Sequence, residues 1–215
     1  MMLVVSLVLA AVAPSDTLAK VQATYKNGGD VTAKFEQTYV DKMRGAKKIE
    51  SGELWAKKDG KVRWSYRTPS RKDFVFDGKQ AYFYEPENSQ VTVFDKFQDS
   101  PVASAMRFLW GQGDLVKSFE PKACDGKCIA AGDAVSIVLT PKEPIAAVDR
   151  IQLDTDGGSG KVRRSIVVDP LGNRTEYVFK DLDLGAKVAD AKFAFTIPAG
   201  VSVLHANVDS KPEKK

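Results

Sequence analysis

The sequence predicts a mainly β (α+β) fold in which one curved antiparallel sheet of about ten or eleven short strands is accompanied by two helices. Apolar and polar residues alternate along most of the chain after residue 31, and turns containing Gly, Asp or Pro separate these alternating segments. Two segments instead repeat apolar residues at helical spacing. The 215 residues, of which 43% are hydrophobic and 28% charged, are typical of one globular domain.

The N-terminal apolar run predicts the compartment. Residues 3–13 read LVVSLVLAAVA, which is shorter than the roughly 20 residues of a membrane-spanning helix but matches a signal-peptide core. We interpret residues 1–13 as a cleaved export signal, with cleavage after Ala10, Ala11 or Ala13; a buried helix or strand is the alternative. The mature domain should cover 14–203, with a loose polar tail at 204–215.

The first half of the domain is predicted from its periodicity. Leu18, Val21 and Tyr25 follow Pro14 at helical spacing and precede a Gly-Gly stop, which predicts a helix. The period then changes to two along 31–39. The clearest hairpin joins 49–57 to 62–67 through Lys-Asp-Gly. Further strands are predicted at 73–77, 80–85 and 90–95.

In the second half, a helix interrupts the strands. Ser100 and Pro101 are an N-cap and first-turn pair, and the helix should end near Gly111, with another turn at 115–119. The remaining strands are predicted at 135–139, 148–153, 162–168, 175–179 and 193–196.

A sheet of this size has consequences for binding. About eight strands close into a barrel that side chains fill, so about eleven strands curling into a barrel or half-barrel should leave a space for the helices or a guest. Such a space is dry and suits an apolar chain. The predicted lining residues are Phe35, Leu54, Trp55, Val62, Trp64, Phe74, Phe76 and Phe83.

Composition disfavours catalysis. One histidine, His205, and two cysteines are too few for most zinc sites and leave one histidine for any triad, and neither a Gly-rich phosphate loop nor a nucleophile–base pair occurs. We expect a monomeric binding protein with no metal, cofactor or nucleic-acid partner. The net charge is +4, yet residues 42–72 hold eleven basic and three acidic residues. This basic face is either solvated or docks on acidic loops or anionic head groups.

Six segments of the chain form a recognisable series. They are GELWAK at 52–57, VRW at 62–64, DGK at 77–79 before YFY at 82–84, SP at 100–101, LTPK at 139–142 and FAFTIPAGV at 193–201. In order and spacing they resemble the LolA family of outer-membrane lipoprotein carriers. The resemblance implies a half-open barrel of about eleven strands with a helical lid. It also implies a periplasmic chaperone for lipoprotein transport, which receives acyl chains from an inner-membrane ABC transporter and passes them to an outer-membrane receptor.

The resemblance also concerns closure of the lid. Family members have an arginine after the W-x-K segment that helps to hold the lid shut, whereas this chain has Lys58, which lacks a planar bidentate donor set. A neighbour such as Arg63 is the other candidate. Val102, Met106 and Leu109 recur on one helix face, which is either fixed core or a mobile lid that fills the empty cavity.

Two other functions remain open from the sequence: a periplasmic module that senses lipid or mislocalised lipoprotein and regulates an envelope stress pathway, and an enzyme. The segment Cys-Asp-Gly-Lys-Cys further predicts a disulfide between Cys124 and Cys128 across a three-residue turn, because an exported protein is oxidised. Two free thiols are the alternative.

Overall fold

The alternating segments form one sheet in the computed structural model, which describes residues 12–97, 113–124, 134–145 and 148–207. Residues 1–11 of the predicted signal segment, the predicted lid helix with Val102, Met106 and Leu109, and Cys128 lie outside these residues.

The described chain contains two α-helices, two 3-10 turns and twelve strands. The helices are α1 (Pro14–Asn27) and α2 (Leu115–Ser118), and the 3-10 turns are Pro86–Asn88 and Asp190–Phe193. The strands are β1 (Asp30–Val40), β2 (Lys47–Ala56), β3 (Val62–Thr68), β4 (Lys72–Phe76), β5 (Ala81–Glu85), β6 (Gln90–Asp95), β7 (Phe119–Ala123), β8 (Ala134–Pro141), β9 (Arg150–Asp156), β10 (Val162–Val168), β11 (Arg174–Ala186) and β12 (Ser202–Asn207).

All twelve strands belong to one sheet in the order β12-β6-β5-β4-β3-β2-β1-β11-β10-β9-β8-β7. Each neighbouring pair is antiparallel except β12 and β6, which are parallel. Strand β1 joins the two halves, because it pairs with β2 on one side and β11 on the other. The two end strands, β12 and β7, are not neighbours, so the sheet stays open. The predicted fold class is confirmed.

Helix α1 forms for the reasons that its sequence predicts. Pro14 occupies the first turn, Asp16 lies near the positive end of the helix and Lys26 near the negative end. The side chains of Leu18, Val21 and Tyr25 are buried in the same apolar cluster as residues of strands β2 to β4 and β8 to β10. The sheet therefore curves around this helix, and we call the face that contacts it the concave face.

Gly28 is the C-terminal capping residue of α1, at a position that has no room for a side chain. Its amide donates to the carbonyl of Thr24. A Cβ atom at Gly28 would lie 2.9 Å from the carbonyl oxygen of Leu184, a backbone atom that cannot rotate away. The glycine thus permits a close contact between the helix end and β11.

The opposite, convex face differs between the two halves of the sheet. On β4 and β6, Val75, Val91 and Val93 are buried outside the concave cluster. The chain after β11 covers this half: Phe193 is fully buried, and the ring of Phe195 lies 5.0 Å from that of Tyr82 and 5.8 Å from that of Tyr84.

The convex face of β8 to β11 carries polar side chains instead. The Nε atom of Arg164 donates to Asp154 at 2.6 Å, and its Nη1 atom donates to Glu176 at 3.4 Å. The hydroxyl of Ser136 and the amide of Gln152 also donate to Asp154. This half of the sheet is therefore apolar on its concave face and mostly polar on its convex face, where Ile166, opposite Gln152 and Glu176, is a buried apolar exception.

Two local predictions were wrong, and one strand, β7, was not predicted. The alternation at 193–196 reflects Phe193 and Phe195 packing onto the convex face, and the chain there forms a 3-10 turn rather than a strand. Residues 204–207, assigned to the loose tail, continue strand β12. Strand β7 follows the predicted turn of helix and contains Pro121, which an edge strand tolerates because its outer hydrogen-bonding side is unpaired.

Candidate functional site

The concave face brings together most of the residues predicted to line a cavity. Phe35, Leu54, Val62, Trp64 and Phe76 are buried in one apolar cluster with α1. The register then extends the same face across β4 and β5, because Trp64 lies opposite Phe74 and Phe74 lies opposite Phe83. Phe74 and Phe83 are only partly buried, so this face retains accessible apolar surface.

Aromatic rings contact one another across the strands of this face. The ring of Phe35 lies 5.2 Å from that of Trp64 and 5.0 Å from that of Tyr66, with both pairs edge to face. Trp64 also contacts Tyr177 on β11 at 5.4 Å. Edge-to-face pairs at these distances add to the stabilisation from burial alone. The cluster therefore forms a continuous aromatic surface from β11 to β3.

The same surface continues toward both sides of the sheet. Phe97, which follows β6, lies 5.2 Å from both Phe74 and Phe76, and Phe179 stacks on Tyr177 at 6.3 Å. Several of its members are partly exposed. These are Tyr66, Phe74, Phe94, Tyr177 and Phe179.

A small polar group borders the aromatic surface on β1 to β4. The hydroxyl of Tyr66 donates to Gln37 Oε1 at 2.8 Å. Glu50 is only 4% exposed and forms ion pairs with Lys72 at 2.7 Å and Lys48 at 3.0 Å. Burial alone would raise the pKa of Glu50, but hydrogen bonds and charges from the two lysines outweigh burial, so its pKa is lowered. The carboxylate is therefore ionised at neutral pH.

Burial keeps the phenol groups of this surface neutral. It raises the pKa of Tyr66, and it raises the pKa of Tyr177 to about 12. The indole nitrogen of Trp64 differs from the hydroxyl of Tyr66, because it is buried without a hydrogen-bond acceptor.

Trp55 and Arg63 lie on the convex face, contrary to their predicted roles. Trp55 alternates with the inward residues Leu54 and Ala56, and the ammonium of Lys192 lies 3.6 Å from the centre of its indole ring. Trp55 therefore does not line the concave face.

Arg63 pairs with Trp55 in register and bonds to groups of the convex face. Its guanidinium donates to Ser65, to Asp73 and to the carbonyl of Lys192, each at 3.2 Å. Because these contacts turn it away from the apolar cluster, it cannot be the group that closes a cavity there.

Lys58 lies at the end of helix α1. Its ammonium donates to the carbonyls of Tyr25 at 2.6 Å and Lys26 at 2.9 Å, where a positive charge also complements the helix dipole. This contact fastens α1 to the β2–β3 turn. A role of Lys58 in closing the lid stays a prediction.

Sequence reasoning missed several residues of this face, although the signal was partly available. Tyr66 follows Trp64 by two positions in one strand, and Gln37 follows Phe35 in the same way, so strict alternation places each on the same face as its predicted lining residue. Tyr177 and Phe179 likewise alternate within a predicted strand. The ion pair between Glu50 and Lys72 has no such signal, since it depends on how β2 to β4 align.

The described residues hold no group of three or more His, Cys, Asp or Glu side chains suited to a metal ion. Within the same ranges, no helix has the length and apolar character needed to cross a bilayer. Cys124 takes part in a disulfide. Its predicted partner Cys128 is outside the described residues, so their pairing stays a prediction.

Comparison with known proteins identifies the family. The sequence model "Outer membrane lipoprotein carrier protein LolA" matches residues 29–196. The outer-membrane lipoprotein carrier protein of Chromobacterium violaceum is 30% identical over 198 residues, which are 91% of each chain. That of Pseudomonas aeruginosa is 29% identical over 174 residues, 81% of this chain and 80% of its own.

Solved structures support the fold. An uncharacterized conserved protein from Thermus thermophilus superposes with a TM-score of 0.54 at 11% identity, covering 89% of this chain and 98% of its own. The Mycobacterium tuberculosis lipoprotein LppX gives a TM-score of 0.50 at 12% identity, covering 81% and 97%. The family model matches residues 29–196 and the Chromobacterium violaceum relative is 30% identical over 91% of each chain, so the chain belongs to the LolA family of outer-membrane lipoprotein carrier proteins.

Proposed function

We propose that this protein is a periplasmic carrier that binds the acyl chains of lipoproteins on its concave face. The observation that supports this function best is the partly uncovered aromatic surface of the sheet, which includes Trp64, Phe74 and Phe83. Burying each methylene of an acyl chain against such a surface gains about 0.8 kcal/mol. An apolar chain is therefore the guest that this face would favour.

Helix α1 is the fixed part of the binding region in this proposal. Lys58 holds its C-terminal end, the backbone N–H of Val162 donates to the Tyr25 hydroxyl at 3.4 Å, and Lys20 donates to the carbonyl of Gly157 at 2.8 Å. These contacts fasten α1 to turns of both halves of the sheet. A guest would therefore occupy space beside α1 rather than replace it.

Release requires that acyl chains are not held too tightly. Several long chains in a preformed cavity would gain far more free energy than a carrier can give up on transfer. We propose that Val102, Met106 and Leu109 form the face of a lid that fills the empty cavity and competes with the guest. Only the difference between burial of the guest and burial of the lid would then appear as affinity.

Two neighbouring residues of β5 allow a matched test of the binding face. Phe83 lies on the concave face and Tyr84 on the convex face, and both are partly buried. Phe83→Ser should lower the affinity for a triacylated lipoprotein at least tenfold, whereas Tyr84→Ser should not, measured by binding of the purified lipoprotein. The same lipoprotein without its acylated cysteine is the negative control. Equal losses in both variants would contradict the assignment of the face.

The transfer partners are also proposals, and they rest on family membership. We propose that the carrier receives lipoproteins from an inner-membrane ABC transporter and delivers them to an outer-membrane receptor. Release of radiolabelled lipoprotein from vesicles that contain the transporter, followed by its incorporation into outer-membrane vesicles, tests both steps. Binding to an anti-sigma partner without lipoprotein release would favour the regulatory alternative instead.

The export signal is a separate proposal. We propose that residues 1–13 are removed on export, with the boundary after Ala10, Ala11 or Ala13. N-terminal sequencing of protein recovered from the periplasm gives the boundary, and an intact Met1 there would contradict the proposal.

A further inference from the structure

Trp64 carries the one buried side-chain nitrogen or oxygen that lacks a hydrogen-bond partner in the described part of the chain. The residue is 9% exposed, and its Nε1 atom is inaccessible to water. Buried donors are almost always paired, because a donor that gives up its bond to water without a replacement destabilises the fold. An exception on the proposed binding face therefore needs an explanation.

Among the residues that the structure describes, none accepts a hydrogen bond from the indole of Trp64, and those in contact with it are apolar or aromatic. Its register neighbours on the adjacent strands are Leu54 and Phe74, and its ring contacts are Phe35 and Tyr177. Aromatic faces accept hydrogen bonds only weakly. Tyr66, two residues further along β3, shows the contrast, since its hydroxyl bonds to Gln37 at 2.8 Å.

We propose that the Trp64 Nε1–H group donates a hydrogen bond to an acyl carbonyl oxygen of the bound guest, an inference that rests on the carrier function proposed above. An acylated guest is apolar except for its ester or amide carbonyls, which also lose their bonds to water on entry. Pairing one buried donor with one buried acceptor removes both penalties at once. On entry the guest displaces the groups that cover Nε1, and its carbonyl supplies the acceptor that the described residues do not provide.

The chemistry of the site favours a neutral carbonyl over a carboxylate. Indole is a donor only, so it cannot serve a hydroxyl hydrogen. A charged carboxylate would lose its hydration beside the apolar and aromatic neighbours of Trp64, and this costs far more free energy than desolvating a neutral carbonyl. A carbonyl bound at Trp64 would fix the depth of the acyl chain along the concave face, so Trp64 acts as a positioning residue.

The test compares an ester with its ether analogue, which has the same chains but lacks carbonyls. Binding of dioctanoylglycerol and of dioctylglycerol is measured by calorimetry for the wild type, Trp64→Phe and Trp55→Phe. The ratio of dissociation constants, ether over ester, should be about tenfold higher in the wild type than in Trp64→Phe, the value of one net hydrogen bond. Comparison of ratios cancels the different hydrophobicity of the two lipids. Trp55→Phe, altered on the convex face, should keep the wild-type ratio.

A second measurement does not depend on the variant folding. In the ¹H–¹⁵N spectrum of wild-type protein, the indole N–H signal of Trp64 should move downfield on addition of the ester but not of the ether. Equal ratios in wild type and Trp64→Phe, or identical shifts with both lipids, would overturn the role of Trp64 while leaving the carrier function intact. If neither lipid bound to the wild type and acylated lipoprotein also failed to bind, the proposed function itself would fail.

Discussion

Replacement of Gly52 by alanine should severely destabilise the fold, and the structure indicates why. Gly52 lies in β2 at a register irregularity, opposite Phe35 on β1 and Tyr66 on β3. A Cβ atom there would lie 1.9 Å from the carbonyl oxygen of Ser65 and 2.8 Å from its carbonyl carbon. Both are backbone atoms of the neighbouring strand, so no side-chain rotation relieves the clash.

The size of the effect follows from the displacement that alanine would require. Real Cβ contacts are essentially never below 3.0 Å, so β2 and β3 must separate locally by about 1 Å or more. Overpacking in a core costs about 1–3 kcal/mol, and weakening one ladder hydrogen bond adds about 1 kcal/mol. We expect a loss of about 3 kcal/mol, which for a domain of this size lowers Tm by about 10 °C.

Urea unfolding followed by circular dichroism measures this loss, with Gly185→Ala as the matched control. Gly185 lies in β11, and its Cβ would meet only Asp183 Oδ1 at 3.5 Å, an ordinary contact. The control should change the free energy of unfolding by less than about 1 kcal/mol. An unfolding midpoint of Gly52→Ala equal to that of the control would refute the close approach of β2 and β3.

Three further predictions concern stability. Leu18→Ala, at a position 1% exposed in α1, should lower the free energy of unfolding by about 2–5 kcal/mol. The control Leu171→Ala, at a position 72% exposed, should leave it almost unchanged, and similar urea midpoints for the two variants would argue against α1 as part of the core. Lys58→Met removes the cation from the last carbonyls of α1 and should lower the free energy of unfolding by about 1 kcal/mol, and an unchanged Tm would show that this contact contributes nothing. The pKa of Glu50 is lowered in the folded state, so its contribution to stability is present above its unfolded pKa of about 4.3 and is lost as pH falls through the folded value. Glu50→Gln should remove that part of the acid sensitivity in urea midpoints measured from pH 6 to pH 3. Parallel pH profiles for the variant and the wild type would contradict the ion pair.

The predicted ends of the first six strands differ from the observed ends by no more than two residues, because turn residues and alternation are local signals. It could not decide between the two tryptophans of the first hairpin. Trp55 and Trp64 lie on strands joined by a turn, and their faces depend on the register that sets Leu54 opposite Trp64. One residue of slip would set Trp55 opposite Trp64 and put both on the same face, so alternation alone could not assign them.

Long-range pairing was also beyond the sequence. Strand β12 joins β6 in parallel, with His205 beside Asp95 across 110 residues of chain. Residues 202–205 are exposed because β12 is an edge strand, and Val203 and Leu204 are among them, so exposure rather than polarity made it resemble a tail. The chain after β11 was wrongly predicted as a strand because Phe193 and Phe195 alternate as they would in a strand. Phe195 instead packs on the convex face of β5, whose backbone is already hydrogen-bonded to β4 and β6.

The unequal covering of the convex face bears on how the molecule can deform. Strands β3 to β6 are covered on both faces, by the apolar cluster on the concave face and by the chain after β11 on the convex face, and Asp190 further ties that chain to Lys57 and Lys61. Strands β8 to β11 are enclosed on one side only. Amide hydrogens of the enclosed half should therefore exchange most slowly with solvent. If the sheet widens to admit a guest, the bending falls on β8 to β11, while β3 to β6 keep their curvature as a stiff wall against which the acyl chains lie.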